Sequence, residues 1–111
     1  MKGRVLIIAG SDPSGGAGIQ ADIKTVTALG GYAATAITAL TVQNTKGVTA
    51  VHPVAPDVIA AQIEAVMSDI GADAIKIGMI GDVETAAVIE AALRKHPRIP
   101  VVLDPVLIAT S

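Results

Sequence analysis

Three observations predict an α/β fold, a parallel sheet with helices on both faces. Short apolar runs alternate with segments whose apolar residues recur at helical spacing. The apolar content is aliphatic, because 51% of residues are hydrophobic yet Phe and Trp are absent and Tyr32 is the single aromatic residue. Such a composition suits a buried parallel sheet under close-packed helices. Glycine and polar residues also gather in the breaks after the apolar runs, where an open α/β sheet presents its ligands.

The elements follow in order. Arg4–Ala9 is an apolar run closed by Gly10 and reads as a buried strand. Gly18 to Leu29 has Ile19, Ile23, Val26 and Leu29 on one helical face, with Gly30-Gly31 as the stop. Ala33–Val42 reads as a second strand, broken by Gln43–Gly47, and Val48–Val54 as a short edge strand. Pro56 opens a helix to about Ile70, with Asp57 in its first turn and Ile59, Ile63, Val66, Met67 and Ile70 inward. Gly71 closes that helix, and Ala74–Ile77 is the next strand. Asp82 is a good N-cap for a helix from Val83 to about Lys95, with Ala86, Ile89 and Leu93 inward. Val101–Leu103 is the last strand, and Asp104-Pro105 ends it. Strands and helices in this alternation make right-handed crossovers in one sheet.

Composition narrows the function. At 111 residues the chain makes at most one domain with a modest core. The absence of Cys excludes disulfides, a thiolate nucleophile and a Cys-based zinc site, which fits a cytoplasmic protein. A net charge of −2 without a basic stripe, together with the lack of stacking aromatics, argues against a nucleic-acid partner. No apolar run reaches transmembrane length, so a membrane is not expected as a partner.

Four post-strand loops should face one rim: Gly10–Gly18, Gln43–Gly47, Gly78–Asp82 and Asp104–Ser111. The first is the most unusual. It holds four glycines, Pro13, Ser11 and Ser14 between a strand and a helix N-terminus, which suits close approach to a polar or anionic ligand. Gly16-Ala17-Gly18-Ile19-Gln20-Ala21 formally fits a dinucleotide pattern, but it lies too far past its strand and no acid ends the second strand. A Walker A loop is excluded, since no Gly-Lys-Ser/Thr follows the glycines. Asp22 reads either as a first-turn helix acid or as a ligand contact, and Asp12 as a turn opener. Ser11 and Ser14 lack a rim His to activate them.

Gln43 and Asn44 read either as a turn pair or as amides that address the edge of a heteroaromatic ring. Met79 reads as core or ligand wall, and Asp104 as a Mg²⁺ contact or a capping carboxylate. Lys76, a charge within a strand, either reaches the rim or pairs with a carboxylate. His52 and His96 stand alone, and Arg94-Lys95-His96 reads as a solvated helix end.

The stretches Ile8–Asp22, Thr38–Thr45, Val51–Val54, Lys76–Ile80 and Val102–Val106 together resemble the hydroxymethylpyrimidine/phosphomethylpyrimidine kinases, in order and across the whole chain. Val42, Ile77 and Leu107 depart from the family pattern, which has Ala, Thr and Met there. The resemblance implies a ribokinase-like fold and phosphoryl transfer from ATP, with Mg²⁺, to 4-amino-5-hydroxymethyl-2-methylpyrimidine and its monophosphate in thiamine synthesis. It implies that Gln43 reads the small-molecule pyrimidine, that Gly10, Asp22, Met79 and Val106 line its pocket, and that Asp104 lies towards metal and phosphates.

Pyridoxine kinases are the nearest alternative; a non-catalytic α/β module is the other. Family members are considerably longer, so residues 1–111 are expected to form an N-terminal, substrate-binding half without nucleotide site or catalytic base. By itself such a half is expected not to turn over ATP, and to self-associate as a homo-oligomer through uncovered sheet edge.

Overall fold

The computed structural model describes residues 3–78 and 80–104. Five strands and three helices follow one another as β1 (Arg4–Ser11), α1 (Gly18–Ala28), β2 (Tyr32–Asn44), β3 (Gly47–Pro53), α2 (Pro56–Asp69), β4 (Ala74–Ile77), α3 (Val83–Arg94) and β5 (Val101–Leu103). They form one sheet in the order β3-β2-β1-β4-β5. The pairs β1–β2, β1–β4 and β4–β5 are parallel.

β1 lies at the centre because its side chains are apolar on both faces. Leu6, Ile7 and Ile8 are all fully buried. Leu6 and Ile8 join Ile59 and Ile63 of α2, Ile89 of α3 and Ile75 and Ile77 of β4 in one core cluster. Ile7 and Ala9 point the other way and pack with Ile19 of α1. The expected helices on both faces are therefore present, α1 on one and α2 with α3 on the other. Strand alternation then puts Lys76, between Ile75 and Ile77, on the α1 face.

Three expectations need correction. The sheet is mixed, because β3 runs antiparallel to β2. The connection is a tight turn at Thr45-Lys46, in which the Asn44 side chain accepts from the Lys46 N–H at 2.8 Å. β2 also extends through Gln43 and Asn44 rather than stopping at Val42, since pairing with β3 carries it past the end of β1. Leu29 is not an inward helix residue. α1 ends at Ala28, and Leu29, its C-cap, is 84% exposed.

Two polar devices complete the frame. Beyond the end of β3, the outer edge of β2 is covered by Gln62 of α2, whose amide accepts from the Ile37 N–H at 2.8 Å and donates to its carbonyl at 3.0 Å. At the opposite end of β1, Arg4 donates to both carboxylate oxygens of Asp73 and, at 2.7 Å, to the Ile70 carbonyl at the end of α2. The Asp73 carboxyl is held at about 2, chiefly by the Arg4 guanidinium. The capping role of Asp82 is present, with Oδ1 accepting from the Thr85 N–H at 2.7 Å. No helix among the described residues is long and apolar enough to cross a membrane.

Candidate functional site

The C-terminal ends of β1, β2, β4 and β5 converge on a cleft of about 330 Å³ on the α1 face. That volume is at the lower end for small-molecule sites and suits a single heterocycle. Its lining includes Gly10, Asp12, Asp22, Gln43, Lys76 and Asp104. Gly10, Asp22, Gln43 and Asp104 were expected here from sequence. Met79 and Val106, the other two expected lining residues, lie outside the described residues.

The glycine loop is built around Asp12, which is 3% exposed. The Ser14 hydroxyl and N–H donate to Oδ1 at 2.7 and 2.8 Å, and the Gly16 and Ala17 N–H groups donate to Oδ2 at 3.1 and 2.8 Å. These bonds, the Ser14 hydroxyl foremost, hold the Asp12 carboxyl below its ordinary value despite its burial. The Ser14, Gly16 and Ala17 amides are therefore already taken by the chain itself and are not offered to an anion, so this stretch of the loop is a wall rather than a phosphate cradle. Gln20 ties the same loop to α1. Its amide accepts from the Asp12 N–H and donates to the Ser11 hydroxyl, both at 2.8 Å. Sequence reasoning missed Gln20, since nothing in a lone amide within a helix announces such a clamp.

The helix–strand approach also explains one glycine. Gly18 has φ +59°, and a Cβ there would lie 2.4 Å from the Gly10 carbonyl oxygen. Only glycine lets α1 begin this close to the end of β1.

Lys76 answers both alternatives left open for it. From the cleft it ion-pairs with Asp22 of α1, and its ammonium lies 3.6 Å from the Asp104 carboxylate. The hydrogen bond to Asp22 is the main reason its pKa is raised. Asp22 is thus not a first-turn acid: α1 starts at Gly18, which puts Asp22 in the second turn, facing the cleft. The pair Gln43-Asn44 divides. Asn44 makes the hairpin turn, while Gln43 lines the cleft with its Oε1 2.6 Å from the Thr41 hydroxyl.

The charge arrangement bears on metal binding. Asp22 and Asp104 face one ammonium, and among the described residues no three carboxylate or imidazole groups gather to hold a metal. These residues do not by themselves fit a resident Mg²⁺ ion. His52 and His96 share no such cluster either. Arg94 pairs with Glu90 at 2.6 Å on the exposed face of α3, as a solvated helix end should.

Residues 12–111 match the phosphomethylpyrimidine kinase family. The chain is 56% identical over 106 residues to the hydroxymethylpyrimidine/phosphomethylpyrimidine kinase of Rhizobium meliloti, covering 96% of this chain and 40% of that protein. It superimposes on the crystal structure of phosphomethylpyrimidine kinase from Clostridium difficile with a TM-score of 0.92 at 50% identity, over 98% of this chain and 47% of the other. It is also similar to the pyridoxal kinase of Staphylococcus aureus, solved with AMP-PCP, with a TM-score of 0.84 at 39% identity over 96% of this chain and 39% of that one. The chain thus spans less than half the length of these relatives. The fold is ribokinase-like, as expected, and the chain belongs to the phosphomethylpyrimidine kinase family.

Proposed function

We propose that the cleft binds the acceptor of a hydroxymethylpyrimidine/phosphomethylpyrimidine kinase, with residues 1–111 acting as the substrate-binding part of the kinase domain. The observation that carries this reading is the composition of the cleft. A small cavity joins a neutral amide, Gln43, to glycine backbone and to carboxylates whose charge Lys76 offsets, while Asp12 occupies the loop amides. Such a lining addresses a polar aromatic ring better than a polyphosphate.

In this reading Gln43 hydrogen-bonds the edge of 4-amino-5-hydroxymethyl-2-methylpyrimidine, and Gly10 lets the ring approach the end of β1. Asp22 faces the ring's substituents from a position fixed by Lys76, with Met79 and Val106 as further walls. Asp104, 61% exposed at the mouth, is the proposed contact on the phosphate side. ATP would supply the phosphoryl group and Mg²⁺ would offset its charge. The described residues build neither site, so no catalytic step is assigned to them. Binding of the pyrimidine is their part of the reaction, which would belong to thiamine synthesis in the cytoplasm.

Calorimetric titration of the 111-residue chain tests this directly. Saturable binding of the hydroxymethylpyrimidine is expected, weakened about tenfold or more in Gln43→Ala by loss of a buried hydrogen bond. Equal binding by wild type and variant would remove Gln43 from the site. Tighter binding of pyridoxal than of the pyrimidine would favour the vitamin B6 substrate instead.

A further inference from the structure

Lys76 is the one cation among the described residues that line the cleft, and it stands between two carboxylates. Its ammonium is hydrogen-bonded to Asp22. The Asp104 carboxylate, at 3.6 Å, is near enough for an ion pair but too far for a hydrogen bond. An ammonium has three protons to donate, and among the described residues only the bond to Asp22 uses one. Donors therefore remain for a group that arrives at the mouth. Asp104 is itself 61% exposed, so solvent can take its charge when it leaves the ammonium. The neighbouring loop offers an anion little: the Ser14, Gly16 and Ala17 amides serve Asp12, and Lys24 turns to the Gly15 carbonyl at 2.8 Å.

We infer that Lys76 lets one cleft take both a neutral alcohol and its phosphate monoester: the ammonium binds the monoester's phosphate, which displaces Asp104 from it. This rests on the reading of the cleft as the site of a pyrimidine alcohol and its monophosphate. Without the ammonium, Asp22 and Asp104 would repel the phosphate with nothing to offset them. The uncharged alcohol would not meet that repulsion.

Calorimetric titrations of the 111-residue chain in EDTA, which keeps divalent ions off the phosphate, test the inference. Wild type should bind both 4-amino-5-hydroxymethyl-2-methylpyrimidine and its monophosphate. Lys76→Met should weaken the monophosphate at least about tenfold more than the alcohol, while Lys76→Arg, which keeps the charge, should hold the ratio near wild type. Equal losses for the two ligands would reduce Lys76 to a structural partner of Asp22 and overturn the inference. A wild type that binds the alcohol alone would overturn it too, and would leave the pyrimidine reading intact. A wild type that binds neither ligand overturns that reading, and the role of Lys76 with it.

Asp104→Asn is a second variant, at an exposed side chain. It removes the competitor for the ammonium, so the monophosphate should bind more tightly relative to the alcohol. A ratio left unchanged, or shifted towards the alcohol, overturns the displacement and the inference. Titration with ATP alone distinguishes the source of the phosphate. ATP should show no binding that depends on Lys76; ATP binding lost in Lys76→Met would assign the ammonium to the nucleotide and overturn the inference.

Discussion

Asp12 and Asp22 bracket one glycine loop and do opposite things. Asp12 turns inward, collects the N–H groups of Ser14, Gly16 and Ala17, and shapes the loop. Asp22 turns towards the cleft and meets Lys76. The first role was legible in the sequence, because Asp before Pro and small residues opens a turn. The second was only half legible, since the partner of Asp22 is far away in the chain and arrives through strand register. Asp73 shows the same limit at the other end of the sheet, where it clamps Arg4.

Its carboxyl is held at about 2, below the ordinary 3.8, so ionisation is favoured in the folded state. The stabilising contribution is complete above about pH 4 and is lost as the pH falls through 3.8 towards 2. Urea midpoints measured between pH 5 and pH 2.5 should therefore fall more steeply for wild type than for Asp73→Asn. Parallel curves would assign acid sensitivity to other carboxylates, with Asp12 and Asp82, both also lowered, the next to examine.

At the scale of elements, periodicity located every strand and helix, and burial explains why. Ile59 and Ile63 of α2 and Ile89 of α3 are buried at the spacing that announced them. What periodicity cannot supply is the point where an element runs out of neighbours. Leu29 continues the spacing of α1 but falls past its last turn, and Gln43 and Asn44 look like loop residues yet extend β2 because β3 pairs back on it. The antiparallel direction of β3 was hidden for the same reason: it depends on a two-residue turn rather than on the strand's own pattern.

The junction of β1 and α1 yields a sharp test. Gly18→Ala should cost more than about 2 kcal/mol, combining a left-handed backbone with a clash on the Gly10 carbonyl. Gly30→Ala provides the comparison. Gly30 also has a positive φ, +85°, but open space around its absent Cβ, so about 1 kcal/mol is expected there. Equal losses in urea titrations would mean that backbone conformation, not close approach, dictates Gly18.

Across the whole molecule, the two edges of the sheet differ. β3 exposes Val48 and Val51 but ends in Pro53, which cannot donate to a further strand. Among the described residues β5 is paired only with β4, and its three residues Val101, Val102 and Leu103 are 45%, 57% and 62% exposed. An apolar edge strand of this kind templates further pairing. Sedimentation velocity of the 111-residue chain should show concentration-dependent association, reduced in Leu103→Lys. Leu103 is the suitable position, because it neighbours Ile77, whereas Val102 stands beside Lys76. Association unchanged by this charge would move the contact elsewhere. An uncovered sheet edge was expected from sequence, but which strand forms it was not legible, since Val-Val-Leu reads like any buried strand.

The Asp12 loop has a thermodynamic consequence of its own. Because the carboxylate binds the loop's amides within the same chain, the entropy cost of ordering Ser14 to Ala17 is met during folding and not at the encounter with a ligand. The cleft is a preorganised receptor on that side. A small rigid ring, which has few atoms with which to offset any ordering of the protein, gains most from meeting a wall that is already in place.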